Sequence, residues 1–215
     1  MDATEQNSQV LSRRGMLGKV AIAGLATVPV VGMLTSQSKA AFQPLDASSR
    51  EAFTDIRLHE NDHVALLKKI LGSNARPKPK FKNLKPANFN AFVTLSRALE
   101  NVGCGAYLAA TPAISSKSVL ATAASIALME ARHAGFLNVF SGVDVSRNAL
   151  NDTTAFERPL TLQQVVNAAS PYIASLNGGP PASFTAGNDT SILNFALLLE
   201  YLEAEYYNIN VPLYF

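Results

Sequence analysis

The sequence is poor in the side chains that build covalent cross-links and thiolate metal cages. It has one cysteine, Cys104, in 215 residues. That excludes an internal disulfide framework and any four-thiolate metal site, and it removes disulfides as a guide to compartment. Histidine is scarce too, at three, so any metal must be held by carboxylates together with these imidazoles. Net charge is nearly absent. Of 18 basic and 16 acidic side chains, four cations (Arg13, Arg14, Lys19, Lys39) and two acids (Asp2, Glu5) fall in the first forty residues, leaving fourteen of each sign beyond. A chain without a basic excess outside its start offers nucleic acid no electrostatic footprint. No strand pattern emerges anywhere along the chain. What remains, 48% hydrophobic and 16% charged residues, is an ordinary globular composition with enough length for a buried core.

The opening of the chain reads as an address. Ser12 to Lys19 is SRRGMLGK, Val20 to Leu34 is VAIAGLATVPVVGML, and TSQSKAAF follows. A paired arginine, an apolar run of fifteen residues and small residues near Ala40 make a twin-arginine export signal over 1–40, cut at or close to Ala40. The expected domain is then 41–215, exported to the periplasm or another extracytoplasmic space by the twin-arginine machinery as partner. Met16 stands where such signals more often have Phe. The alternative is an uncleaved anchor helix, for which the run is short and rich in Gly, Ala and Pro. This route carries proteins already folded, often with a cofactor in place, which directs attention to metal-type residues.

The rest of the chain reads as helical. Phe53, Ile56, Val64, Leu67 and Ile70 recur at helical steps over Asp46 to Leu71, with Asp46 or Ser48 as N-cap and Gly72 as stop. Asn74 to Pro86 is a Pro-broken basic stretch, expected to be a solvated extended connection. Helices are expected over about Ala87 to Ala110 and Ser118 to Phe140, around the turn TPAISSK. A long side connection, Ser141 to Thr190, holds one short helix, Leu162 to Ala174. A last helix runs from Ser191 to about Asn210, capped by Asp189 or Thr190 and ended by Pro212. The expected fold class is all-α, four long helices in a bundle with a side excursion.

Six ligand-type residues interrupt apolar stripes. The inward stripe of the first helix is Ile56, Glu60, His63, Leu67, Ile70, and that of the third is Val119, Ala123, Ile126, Glu130, His133, Leu137, Phe140. Glu and His three apart share one helix face. Glu100 is the lone charge in its apolar stretch of the second helix, and ILNFALLL leads to Glu200 in the last. Burying an unpaired carboxylate costs several kcal/mol or forces its protonation, about the size of desolvation terms for polar groups. Four in one core demand cations. Glu100 and Glu130 are equidistant from Ser115 in the turn, so an antiparallel hairpin sets them at one height. Glu100 and Glu200 are each followed seven residues later by a tyrosine, Tyr107 and Tyr207, close to two turns on and above its glutamate. The tyrosines are candidates to donate a hydrogen bond or an electron; ordinary core aromatics with satisfied hydroxyls are the other reading. One Glu from each of two helices plus Glu-x-x-His from each of two others is the ligand pattern of di-iron or di-manganese carboxylate bundles. Glu203 is the rival of Glu200. His59 lies about 100° round the helix, at the surface or behind the site, and Cys104 reads as a small buried filler.

These residues resemble the ferritin-like superfamily, and within it exported ferritin-like domains related to desiccation-associated proteins. The resemblance is carried by ILNFALLLEYLEAEYYN, LHENDHVALLKKIL, LENVGCGAYLAATPAI and SIALMEARHAGFLN, which together span most of 46–210. It implies two metal ions, iron or alternatively manganese, bound by Glu60, His63, Glu100, Glu130, His133 and Glu200. The helix of the LEYLEAE type ordinarily comes first in that family and here comes last, so the resemblance implies a circular permutation. The expected function is oxidation chemistry with oxygen or peroxide as co-substrate, in oxidative or desiccation stress protection. A non-catalytic envelope bundle and an iron-storage protein are the alternatives. The balanced charge and long loops disfavour a closed cage and leave a homo-oligomer open.

Overall fold

A reciprocal capping box sets the start of the first helix, α1, Ala47–Leu71. The Asp46 carboxylate accepts from Ser49 N at 2.8 Å while Ser49 Oγ accepts from Asp46 N at 2.8 Å. Gly72, with φ +55°, ends the helix. The computed structural model describes residues 46–215, so the export signal read over 1–40 lies outside the described residues. Phe53, Ile56, Glu60, His63, Leu67 and Leu71 form the buried face of α1. Its last inward position is Leu71, not Ile70, which is exposed. The stripe takes a four-residue step after Leu67 because the helical period is 3.6 residues.

Asn88 caps α2, Phe89–Ala110, and Ser116 caps α3, Lys117–Phe140. Asn188 caps α5, Asp189–Tyr214. Pro212 lies inside the final turn of α5 and does not end it. The hydrogen bond it lacks would reach Asn208, whose residue is exposed to water, and Phe215 N closes the turn on Val211 O at 3.0 Å.

Contacts along the helices fix their directions. Arg50 Nη1 donates to Phe215 O at 2.9 Å, Asn61 and Asn208 exchange amide bonds at 3.1 and 2.9 Å, and Asn194 Nδ2 donates to Asn74 O at 2.9 Å. Thus α1 and α5 are antiparallel and residues 46 and 215 lie at one end. The hairpin of α2 and α3 is tied by Asn101 Nδ2 to Asn138 Oδ1 at 3.3 Å. Helices α2 and α5 are also antiparallel, so α1 and α2 run the same way. Residues 72–88 must therefore return along the bundle, a path of roughly 35 Å at 1.5 Å per helical residue.

That return is structured, where the sequence suggested a solvated connection and no strands. Lys80–Phe81 (β1) pairs antiparallel with Ile173–Ser175 (β2). Two and three residues are too few for alternation to show in a sequence. Asn210 Nδ2 donates to Leu84 O at 2.8 Å, and Arg76, buried, donates from its backbone N to Asn194 Oδ1 at 2.6 Å. The short helix α4, Leu162–Ala169, stops five residues before its expected end at Ala174, since Ser170–Tyr172 tighten into a 3₁₀ turn with Pro171. This excursion covers the outer side of α2, where Leu160 N donates to Gly105 O at 3.0 Å. It explains why Ser96 to Tyr107 and Ile192 to Ala204 are buried without a break.

One end of the bundle is aromatic. Phe53 meets Phe89, Phe92, Phe136, Phe140 and Phe215 with ring centres 5.0 to 6.4 Å apart. None of the described helices is long and apolar enough to cross a membrane.

Candidate metal centre

The interrupted stripes of α1, α2, α3 and α5 meet at mid-bundle. Glu60, Glu100, Glu130 and Glu200 are fully buried there, with His63 and His133 at 8% and 5% exposure. His63 Nδ1 lies 3.2 Å from Glu60 Oε2, 3.2 Å from Glu200 Oε2 and 3.4 Å from Glu130 Oε1. His133 Nδ1 lies 3.0 Å from Glu60 Oε1 and 3.1 Å from Glu100 Oε2. Each imidazole thus turns one nitrogen into a nest of carboxylates. The atoms fall into two groups of four, Glu60, His63, Glu130, Glu200 and Glu60, Glu100, Glu130, His133, each offering ligand atoms within 4.8 Å of one another. Glu60 and Glu130 belong to both groups, as carboxylates bridging two adjacent cations would.

Local structure accounts for the convergence. Glu60 and His63, like Glu130 and His133, are three apart and share a helix face. Glu130 needs a gap in the facing helix, and Gly103 supplies it: a Cβ at that position would stand 2.2 Å from Glu130 Oε2. The tyrosines cross over. Tyr107 donates to Glu200 Oε1, and Tyr207 donates to Glu100 Oε1 at 2.6 Å. Each hydroxyl serves the glutamate of the other helix because α2 and α5 are antiparallel, which brings residue 107 beside 200 and 207 beside 100.

Charge is poorly balanced within the cluster. Burial, then the field of Glu100, pushes Glu60 up to about 7, against the nearby His133 and the hydrogen bond with His63. Glu130 is raised well above the ordinary carboxylate value by burial and by Glu60, Glu100 and Glu200. Burial alone would lower both histidines, but the carboxylates win. Glu100 and Glu60 push His133 up to about 11, and Glu130, Glu200 and Glu60 raise His63. Three carboxylate oxygens still lack a donor. Both oxygens of Glu130 and Glu60 Oε1 are buried without a hydrogen bond, since His133 Nδ1 is near Glu60 Oε1 but out of line with it. Orphaned buried acceptors facing a common centre are what a bound cation would satisfy.

The structure therefore brings together all six side chains singled out as ligands, with both tyrosines against them. Glu200 and its rival Glu203 are both buried, but Glu203 stands outside both groups of four. Burial and the fields of Glu130, Glu100, Glu60 and Glu200 raise its carboxyl well above the usual range. Cys104 is buried, and burial raises its thiol. Gly103 escaped the sequence reading, although a glycine inside a long helix is a signal of close approach. His59, expected at the surface or behind the site, lies behind it, with Nδ1 3.0 Å from His133 Nε2.

No curated protein and no solved structure matches the chain. Residues 31–142, just over half of it, match the family model for the ferritin-like domain, a stretch that holds Glu60, His63, Glu100, Glu130 and His133 but ends before Glu200. With that match and an all-α bundle around a buried carboxylate and histidine cluster, the chain belongs to the ferritin-like domain family.

Proposed function

We propose that this protein is an exported metalloprotein whose two divalent cations, iron or alternatively manganese, react with oxygen or peroxide in protection against oxidative or desiccation stress. The observation that carries the reading is the pair of four-residue groups sharing Glu60 and Glu130. The donor set fits: carboxylates with imidazole suit iron and manganese, and the orphaned oxygens of Glu130 and Glu60 need a cation. A bound pair would supply electrons to a small oxidant at coordination positions the six side chains leave open.

The chain's own part is binding, orientation and exclusion of water. Glu60 and Glu130 would serve both cations, with His63 and Glu200 completing one position and His133 and Glu100 the other. Tyr107 and Tyr207 hold Glu200 and Glu100 by hydrogen bonds, which supports giving them the passage of a proton or an electron. The order of helices is read as a circular permutation of the usual bundle, supported by the parallel course of α1 and α2 and the meeting of the two ends at Arg50 and Phe215. Export rests on the SRRGMLGK segment and its apolar run.

The test is metal analysis of protein recovered after passage through its natural export route, followed by oxygen and peroxide consumption with ferrous ion. Two iron or manganese ions per chain with oxidant consumption are expected. Metal-loaded protein that consumes neither oxidant would sink the oxidoreductase reading and leave a non-catalytic bundle.

A further inference from the structure

The two groups of four are built on a repeated plan. His59-Glu60-x-x-His63 on α1 stands opposite Met129-Glu130-x-x-His133 on α3, and Leu199-Glu200 with Tyr207 on α5 stands opposite Leu99-Glu100 with Tyr107 on α2. Contacts repeat as well: each histidine Nδ1 meets the glutamate of its own motif or its counterpart, and each tyrosine meets the far glutamate. The plan breaks at His59, whose counterpart is Met129.

His59 Nδ1 is 3.0 Å from His133 Nε2, the ring centres are 5.3 Å apart, and the ring planes differ by 7°. A contact that short between rings that far apart is edge to edge and in plane, the geometry of a hydrogen bond between ring nitrogens. Among the described residues no group makes the equivalent bond to His63 Nε2. For Nδ1 of His133 to offer a lone pair to a cation, the ring proton must sit on Nε2. That Nε2–H then donates to His59 Nδ1, and His59 carries its own proton on Nε2, toward its half-exposed side.

We propose that His59 is a positioning residue: it fixes the tautomer and ring orientation of His133 and so makes the two cation positions unequal, with the His133 and Glu100 position the supported one. The inference rests on the metal reading above. Partners that hold the second nitrogen of a ligating histidine are worth about 10- to 100-fold in metal affinity. Met129 can give His63 no such bond, because a thioether is only a weak acceptor.

The experiment is titration of the purified protein with cobalt(II), followed by visible absorbance and equilibrium dialysis. Wild type is expected to take two cobalt ions with distinct affinities. His59→Met, which copies the residue at 129, should weaken one of the two by about 10- to 100-fold and spare the other. His59→Gln should recover most of the loss, because its amide oxygen can accept from His133. In a His133→Ala background, His59→Met should add nothing. If wild type takes up no cobalt, the metal reading and this inference fall together. If wild type binds two and His59→Met binds both with unchanged affinity, or weakens both equally, this inference alone is overturned. Failure of His59→Gln to rescue, with thermal unfolding unchanged, overturns it as well.

Discussion

The aromatic end of the bundle and its carboxylate middle are built on opposite terms. Phe53 and the five phenylalanine rings around it pack without a ring polar atom to satisfy, so the folding of that end is complete in itself. About two turns along the same helix, Glu60 and its neighbours bury charge that the protein alone does not balance. The two regions share α1, α2, α3 and α5, so the apolar end can hold the helices in register while the middle stands ready for a ligand. A region that stabilises the fold and a region that strains it should answer differently to the same perturbation.

The largest effect belongs to the aromatic end. Phe53→Ala should lower the unfolding free energy by about 3–5 kcal/mol, measured by denaturant titration, and by the same amount with or without metal. An effect confined to the metal-loaded protein would break the comparison. In the middle the sign should reverse. Glu130→Met, close in shape but without charge, should stabilise the metal-free protein by about 1–3 kcal/mol, the usual cost of an unpaired buried polar group. The same substitution should abolish metal uptake in equilibrium dialysis. A destabilised metal-free variant would mean that Glu130 is already satisfied.

The pH dependence sharpens the contrast further. Glu60 is raised from 4.5 to about 7, so over that window the folded chain keeps a proton the unfolded chain has lost. His133 is raised from 6.5 to about 11, so its contribution is whole below 6.5 and is lost as pH rises toward 11. Both groups make the folded state bind more protons, and the stability of metal-free protein should fall as pH rises from about 4.5 upward. Metal displaces the same protons, so the loaded protein should show a flatter profile and a metal affinity that climbs with pH. Parallel profiles for the two forms would count against the site. The smallest effect is at the rim: Tyr207→Phe removes the donor to Glu100 and should cost about 1–2 kcal/mol, with metal stoichiometry unchanged and turnover slowed at most.

What could be read from the sequence was whatever local periodicity carries. Capped amphipathic segments gave the long helices, and acids or histidines on otherwise apolar stripes located the six converging side chains. What could not be read depends on register between helices far apart in the chain. That each tyrosine serves the other helix's glutamate follows from the antiparallel setting of α2 and α5, which no single-helix pattern contains. Glu200 and Glu203 are both buried, so burial does not choose between them; the choice comes from contacts with other helices, since Glu200 meets His63 of α1 and Tyr107 of α2. The β1 and β2 ladder is too short to leave an alternating pattern, and Pro212 failed to stop α5 because the bond it removes lies on a solvated side.

The central claim is that two cations sit between Glu60 and Glu130. Crystals grown from protein loaded with manganese, measured with anomalous scattering at the metal edge, test it most directly. The account predicts two peaks about 3.5 to 4 Å apart, both in contact with Glu60 and Glu130, one closed by His63 and Glu200 and the other by His133 and Glu100. No peak at mid-bundle, or one peak held without Glu130, would contradict it.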